Sequence, residues 1–356
     1  MPSTRGDFLI YGATGYTGNL ISELAKKRGL SPVLCGRNPE RVRELAARLE
    51  LPYQVASLDD TESLERAMDE VQLVLNLAGP FAYTADVLSQ LCIQRRKHYI
   101  DVTGELTVFQ GLHQKHAAAL RNGVMLLPGA GFAIVPSDCL AAMLRRDHPN
   151  ATALRIGVSR PDFVSRSSAR TMFEQFKGGP LVRRDGVLQS LPLSDFRTAF
   201  DFGQGESECV AVNWPDVFTA GLYCNFDSVS TFAESNLIEG EMYRMMSLSM
   251  QMFGANLWQP MLSFQADYLP ERPSPSDELC DRVFVAEALD SERREVGLLR
   301  LRTPQGYAFS ADIACRVIER VLAGASSPGF QTPSNVFGRE LVLSANGVQF
   351  ESLRAH

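Results

Sequence analysis

Long apolar runs are absent from this sequence of 356 residues. No stretch of about eighteen apolar residues occurs, so no membrane-spanning helix is predicted. The N-terminal segment also lacks the basic start followed by an apolar stretch that marks a signal peptide, and we therefore expect a cytoplasmic protein. The most apolar late stretch, residues 242–262, is broken by polar side chains and is interpreted as a helix of a core or an interface.

Paired cysteines and clustered positive charges are absent as well. The seven cysteines include no C-x-x-C pair, so neither a disulfide framework nor a structural zinc site is predicted. His113 and His116 lie three residues apart without a third ligand, so we interpret them as surface residues and expect no metal. The net charge of −6 and the lack of a basic cluster argue against a nucleic-acid-binding or an anionic-membrane surface.

Two catalytic signatures are missing. None of the nine tyrosines is followed four residues later by lysine, which is the signature of the short-chain dehydrogenases. No G-x-S-x-G elbow of a serine hydrolase is present either. These absences disfavour both enzyme classes.

The most informative stretch lies near the start of the chain, where an apolar run is followed by three glycines and then by apolar residues at helical spacing. This order predicts a strand, a tight turn and a helix. Glycines at such a turn let the pyrophosphate of a dinucleotide approach the backbone N–H groups at the helix start. The spacing G-x-x-G-x-x-G is less specific than the commoner G-x-G-x-x-G, and a turn that binds nothing is the alternative. The residues of this predicted phosphate-binding turn are Gly12, Ala13, Thr14, Gly15, Tyr16, Thr17 and Gly18.

A second predicted strand, residues 31–36, ends about twenty residues past the glycine-rich turn, where the ribose of a bound dinucleotide should lie. An NAD-selective site would have a carboxylate there, but this chain has Gly36, Arg37 and Asn38. Arginine suits the 2′-phosphate of NADP because its fixed fork of donors matches the phosphate oxygens. We therefore expect NADP(H), with an ordinary solvated charge as the alternative for Arg37. Asn38 precedes Pro39 and is also expected to cap the next helix.

Strands and helices alternate up to residue 130, which predicts a doubly wound parallel sheet of six strands, a Rossmann domain of the α/β class. The almost continuously apolar run 71–78 is typical of a central strand buried on both faces. Ligands collect at the carboxyl ends of strands in such a sheet, so the loop before the helix expected from Thr84 should border the cofactor. A loop shaped only for packing is the alternative. The candidate residues of this loop are Asn76, Ala78, Gly79 and Pro80.

The pattern changes after residue 130. Short alternating apolar runs separated by Gly/Pro-rich stretches predict a mainly antiparallel sheet in a second, α+β domain over residues 131–305. Ser137 or Asp138 is expected to cap its first helix, which begins near Cys139. The apolar residues of this domain would serve a homodimer as readily as a core.

Two further segments of the later chain bear on function. Arg166 and Arg170 lie in a hydroxyl-rich stretch before a predicted helix, where they would suit a substrate carboxylate; a solvated helix start is the alternative. Residues 306–322 predict an amphipathic helix, and residues 327–333 predict a loop rich in turn residues.

Taken together, these segments resemble the saccharopine dehydrogenase-like reductases, in particular the branch that includes the trans-acting enoyl reductases. The matching motifs occur in the family's order, namely Gly12–Gly18, Gly36–Asn38, Asn76–Phe81, His98–Glu105, Gly131–Phe132 with Pro136–Asp138, and Gly329–Pro333. One departure concerns the substrate: relatives tend to carry Gly-Thr where this chain has Ala169, Arg170 and Thr171, so no relative's substrate is carried over.

The resemblance implies three parts. Residues 1–130 would form a Rossmann domain that binds NADP(H), and residues 131–305 a substrate or dimerisation domain. Residues 306–356 would form a C-terminal helix and tail that return to the Rossmann domain.

The resemblance also implies an NADP(H)-dependent oxidoreductase that transfers a hydride to a C=N or an activated C=C bond of a small or carrier-bound metabolite. The candidate proton donors are Asp101 and Glu105, with Tyr99 behind them, because both carboxyl groups follow a predicted strand at the cleft. Capping of the next helix is the alternative for each carboxylate. A catalytically silent NADP(H) sensor or scaffold is the alternative for the whole chain, because binding and catalysis use the same loops.

Overall fold

A computed structural model describes residues 6–159, 179–236 and 281–353, with Gly240, Glu241, Arg244, Met245 and Ser249. The chain divides into two compact units. The first unit consists of Met1–Thr103, Thr107–Phe132 and Tyr307–Phe337. The second unit consists of Gly104–Leu106, Ala133–Gly306 and Gly338–His356.

The first unit is built on a sheet whose described strands are all parallel. In chain order they are β1 (Phe8–Tyr11), β2 (Pro32–Gly36), β3 (Tyr53–Val55), β4 (Leu73–Asn76), β5 (His98–Asp101), β6 (Met125–Leu127) and β15 (Gly329–Phe330). Their order in space is β15-β6-β5-β4-β1-β2-β3. The strand order reverses between β1 and β4, which is the switch point where doubly wound sheets bind ligands.

Helices connect these strands, as the predicted alternation requires. They are α1 (Tyr16–Lys27), α2 (Pro39–Leu49), α3 (Thr61–Met68), α4 (Phe81–Arg95), α5 (Leu106–Gln114), α6 (His116–Arg121), α9 (Gly306–Leu322) and α10 (Pro333–Phe337). All residues of β1 and β4 are buried, as their continuous apolar sequence predicts for central strands. The predicted doubly wound α/β fold is confirmed.

The segment predicted as a loop near residue 330 contributes the edge strand β15. Gly329 N donates to Val124 O (2.8 Å) and Gln331 N to Leu126 O (2.9 Å), so this segment pairs with β6. His116 accepts a hydrogen bond at Nδ1 from Phe330 N (3.1 Å). The expectation of a loop is therefore wrong for these two residues, and His116 supports the strand rather than lying on the surface without a role.

The second unit contains a mixed sheet, which confirms the expected second domain built mainly on antiparallel pairs. Its described strands are β7 (Ala153–Val158), β8 (Leu181–Arg184), β9 (Val187–Ser190), β10 (Arg197–Asp201), β11 (Glu206–Ala211), β12 (Ser228–Glu234), β13 (Arg282–Leu289), β14 (Glu295–Thr303) and β16 (Gln349–Leu353). The main path is β10-β11-β12-β7-β13-β14-β16, in which only β7 and β12 pair in parallel. The described helices of this unit are α7 (Val135–Asp147) and α8 (Asp216–Tyr223).

Two details of the second unit differ from the sequence-based expectations. Helix α7 begins at Val135, so Ser137 and Asp138 lie inside its first turn and neither caps it. The reason is Pro136, which is tolerated in the first turn because it needs no N–H partner there. The C-terminal tail also belongs to both units. Tyr307–Phe337 belong to the first unit, whereas Gly338–His356, which include β16 paired with β14, belong to the second.

Candidate nucleotide-binding site

The glycine-rich turn after β1 is held against β2 and against the loop after β4. Gly12 N and Ala13 N both donate to Cys35 O, at 2.9 and 3.1 Å. Gly12 has a φ of +85°, and a Cβ there would lie 2.7 Å from Ala78 N. Gly12 is therefore required both by its backbone conformation and by the close approach of the neighbouring loop.

The other two glycines of the motif have different surroundings. A Cβ at Gly18 would lie 2.3 Å from Gly12 O, so the start of α1 packs directly on the turn. Gly15 is exposed, has extended backbone (φ −72°, ψ 169°), and a Cβ there would meet no described atom nearer than Gly12 O at 3.4 Å. The fold does not require glycine at position 15. An open backbone at the start of a helix is what the pyrophosphate of a dinucleotide needs, so the residues present fit this cofactor.

The end of β2 lies beside this turn. A Cβ at Gly36 would lie 3.2 Å from Val42 Cγ2 and 3.9 Å from Thr14 Oγ1, which places the strand end against the turn. Arg37 follows and is exposed. Burial raises the pKa of Tyr11 to about 12, while the positive charge of Arg37 acts in the opposite direction, so this guanidinium lies near the end of β1. An exposed cation there suits a 2′-phosphate.

Asn38 has a structural role that the sequence predicts. Its Oδ1 accepts a hydrogen bond from Arg41 N (3.0 Å), which confirms that it caps α2. That oxygen is therefore engaged in the helix, and any contact of Asn38 with a cofactor would use its Nδ2 or its backbone.

The loop after β4 is held by buried hydrogen bonds. Asn76 Oδ1 accepts from Ala78 N (3.0 Å), and Asn76 Nδ2 donates to Thr84 Oγ1 (2.9 Å). Thr84 Oγ1 in turn donates to Ala78 O (2.8 Å). The Gly79–Pro80 peptide is cis, and α4 begins at Phe81 rather than at the predicted Thr84. This earlier start puts Thr84 in the first turn of α4, where its hydroxyl bonds to Asn76 and Ala78 of the loop. The sequence, which predicted a helix start at Thr84, did not indicate these hydrogen bonds.

Asp101 is the centre of a second buried network. Its Oδ1 accepts from Thr103 N (2.9 Å) and Gly129 N (3.0 Å), and its Oδ2 accepts from Tyr99 Oη (2.8 Å). Tyr99 Oη in turn accepts from Asn76 Nδ2 (3.0 Å). These side chains join the carboxyl ends of β4 and β5 to the loop after β6, and the contact with Gly129 was not predictable from local sequence.

The hydrogen bonds of this network define its protonation. An Asp101 carboxyl group that accepts three hydrogen bonds is favoured in its ionised form. Burial, followed by the charge of Asp101, raises the pKa of Tyr99 well above its ordinary value, so the phenol stays neutral and donates. The arrangement holds two loops of the candidate site in place.

Glu105 lies in the second unit and is almost fully buried, at 1% exposure. The segment around it packs closely, because a Cβ at Gly104 would lie 2.9 Å from Ala133 Cβ and 3.6 Å from Trp214 Nε1. The same unit holds a further buried acid that sequence reasoning missed, Asp216. Burial raises its pKa to about 8, and the negative charge of Asp138 adds to this shift. Neither of its carboxylate oxygens has a hydrogen-bond partner among the described residues.

The structure does not describe some of the predicted residues. Arg166, Arg170 and most of the stretch 242–262 lie outside the described residues. Within the described ranges, no group of three or more His, Cys, Asp or Glu side chains is arranged to hold a metal ion. No helix in those ranges is both long enough and apolar enough to cross a membrane.

The sequence comparisons concern the unit that contains this site. Residues 8–127 match the family model described as the saccharopine dehydrogenase NADP binding domain, which confirms the expected NADP(H) cofactor. A trans-acting enoyl reductase of Mycobacterium leprae is 35% identical over 150 residues, which are 39% of this chain and 35% of that protein. A saccharopine dehydrogenase-like oxidoreductase of Mus musculus is 23% identical over 164 residues, which are 40% of this chain and 38% of that protein. The chain thus matches little more than a third of the length of these relatives.

A solved structure extends the similarity in fold. Apo saccharopine dehydrogenase (L-Glu forming) from Saccharomyces cerevisiae superposes with a TM-score of 0.67, covering 98% of this chain and 100% of that one. The sequence identity is 10%, so this likeness shows the fold alone.

Proposed function

Because residues 8–127 belong to the family of the saccharopine dehydrogenase NADP-binding domain, we propose that this chain is an NADP(H)-dependent oxidoreductase. Its reaction is hydride transfer to a C=N or an activated C=C bond of a small or carrier-bound metabolite. The carrier-bound class is included because a matching relative is named a trans-acting enoyl reductase. A cytoplasmic location, a homodimer and substrate binding by Arg166 and Arg170 remain predictions.

The observation that carries the proposal is the open position at Gly15, located at the switch point of a doubly wound sheet. The fold explains Gly12 by its positive φ and close packing and Gly18 by close packing, but it does not explain Gly15. A glycine that the fold does not need, at the start of a helix, is explained by a ligand that approaches its backbone. In the proposed complex, the N–H groups of the turn hold the pyrophosphate and Arg37 binds the 2′-phosphate.

Bound NADPH supplies the hydride, which goes to the electrophilic carbon, and a proton must reach the nitrogen or the second carbon of the reduced bond. Asp101 and Glu105 are our candidates for that proton transfer, with Tyr99 behind them. The hydrogen bonds that Asp101 accepts favour its carboxylate form, so the role of proton donor falls to Glu105. Asp101 and Tyr99 would then position the loops of the site through Asn76.

The experiment is a screen of imines and activated alkenes, free and thioester-linked, for substrate-stimulated oxidation of NADPH. On the best substrate, Glu105→Gln is expected to lower kcat by about a hundredfold or more, since general acid catalysis contributes roughly 10²–10⁴-fold. Asp101→Asn is expected to raise the KM for NADPH as well, because it disrupts loop positions. If both variants stay within about twofold of wild type, the assignment of these carboxyl groups is wrong.

The alternative is a catalytically silent NADP(H) sensor. One observation favours it: Asp101, Tyr99 and Asn76 form hydrogen bonds within the first unit. Tight NADPH binding without oxidation by any electrophile of the screen would support the sensor and refute the oxidoreductase.

A further inference from the structure

Side-chain contacts join α9 to α1 and to the residue that follows α1. At their starts, the rings of Tyr16 and Tyr307 meet edge to face, with centroids 5.1 Å apart and planes at 86°. Farther along, Arg28 forms ion pairs with Asp312 and with Glu319, the latter at 3.4 Å. These contacts join the first turns of the two helices to each other, and Arg28, the residue after α1, to the later part of α9.

The first turn of α9 also reaches the loop after β6. Ser310 Oγ accepts a hydrogen bond from Phe132 N (3.0 Å), and the rings of Phe132 and Phe309 pack edge to face at 6.4 Å. A Cβ at Gly131 would lie 3.1 Å from Ser310 Oγ. Because β1 and β6 belong to the same parallel sheet, the loops that follow them lie at the same carboxyl edge. The first turn of α9 therefore borders the same edge as the glycine-rich turn.

Tyr16 is the first residue of α1 and directly follows Gly15, the open glycine of the turn. Tyr16 is half-buried, and a tyrosine side chain has several staggered rotamers, so a packing partner is what holds its ring in one orientation beside the turn. An edge-to-face aromatic partner favours the observed orientation of the Tyr16 ring. Tyr307 is that partner.

We propose that Tyr307 is a positioning residue for the cofactor, which acts by fixing the ring of Tyr16 beside the pyrophosphate and nicotinamide half of bound NADP(H). The inference rests on the proposed nucleotide site. Arg28, the residue after α1, contacts α9 through Asp312 and Glu319. The aromatic pair lies at the other end, next to Gly15.

The test compares two ligands that share the 2′-phosphate and adenine but differ in the other half. NADPH contains the pyrophosphate and nicotinamide; adenosine 2′,5′-bisphosphate contains neither the second phosphate of the bridge nor the nicotinamide ribose. Binding of each is measured by calorimetry for wild type, Tyr307→Ala, Tyr307→Leu and Tyr307→Phe. The control is Tyr53→Ala, which removes another half-buried tyrosine of the same unit, in edge strand β3.

We expect Tyr307→Ala and Tyr307→Leu to weaken NADPH binding by about three- to tenfold and to leave the bisphosphate within about twofold. Tyr307→Phe keeps the ring and should bind like wild type, as should Tyr53→Ala. Melting temperatures without ligand verify that the variants fold, with Tyr307→Leu replacing the alanine variant if that one does not. Unchanged NADPH binding, or an equal loss for both ligands, would overturn the inference while the nucleotide site stands. A wild type that binds neither ligand would refute the proposed function and this inference with it.

Discussion

At the scale of single residues, the three glycines of the glycine-rich turn have different roles. Gly12 needs a positive φ, and Gly18 needs the absence of a side chain against the backbone of the turn. Gly15 meets neither condition, and its backbone conformation is open to any residue. Mutation can therefore test the structural roles of Gly12 and Gly18 separately from the proposed ligand-binding role of Gly15.

Gly15→Ala should leave the free energy of unfolding within about 0.5 kcal/mol of wild type, because a methyl group fits beside Gly12 O. It should weaken NADPH binding by roughly tenfold or more, since a charged hydrogen bond to phosphate is worth about 1.5–3 kcal/mol. Gly18→Ala is the matched variant and should lower the free energy of unfolding by about 1–3 kcal/mol through overpacking. Urea unfolding and nucleotide titration check both, and a destabilised Gly15→Ala variant with intact binding would reverse our assignment.

Asp216 carries a second prediction at this scale. Its pKa in the folded state, about 8, lies above the value near 3.8 of an unburied aspartate, so the folded state binds the proton more tightly. The stabilisation is complete below about pH 4 and is lost as the pH rises towards 8. Asp216→Asn removes the titration, so its free energy of unfolding relative to wild type should increase from pH 5 to pH 8. A difference that stays constant across this range would show that Asp216 is ionised in the folded protein.

At the scale of elements, β15 shows how a short strand depends on a distant side chain. Gly329 has a φ of +88°, and a Cβ there would lie 2.7 Å from the His116 ring, whose Nδ1 accepts a hydrogen bond from Phe330 N. The strand thus depends both on a glycine conformation and on the hydrogen-bond acceptor that His116 provides from α6.

Gly329→Ala should therefore destabilise the protein more than a matched substitution without the steric contact. Gly123 also has a positive φ (+69°), but a Cβ there would have no atom within 4 Å. Gly123→Ala should cost about 1–2 kcal/mol through backbone strain alone, and Gly329→Ala about 1–3 kcal/mol more through the clash. Chemical denaturation of both variants measures the difference. Equal losses of unfolding free energy would mean that the His116 ring moves aside without an energetic cost.

At the scale of the whole molecule, the sequence predicted what local patterns determine. Buried strands β1 and β4, the Asn38 cap and the change of architecture after residue 130 follow from apolar runs and capping chemistry. The sequence did not reveal β15, which is too short for a periodic pattern and depends on His116. It did not reveal the start of α7 at Val135, where a proline inside the first turn concealed the helix. The Tyr16–Tyr307 pair joins residues almost 300 positions apart, and no local signal connects them.

The central claim is that the first unit binds NADP(H) through the glycine-rich turn and Arg37. The most direct measurement is a calorimetric titration with NADPH and with NADH, for wild type, Arg37→Ala and Arg121→Ala, the last being an exposed arginine at the end of α6 that serves as the control.

Wild type is expected to prefer NADPH. Arg37→Ala should lose that preference, with an affinity for NADPH roughly ten- to a hundredfold lower, and Arg121→Ala should match wild type. Equal binding of both nucleotides by wild type, an unchanged Arg37→Ala variant, or binding of neither nucleotide would contradict the account.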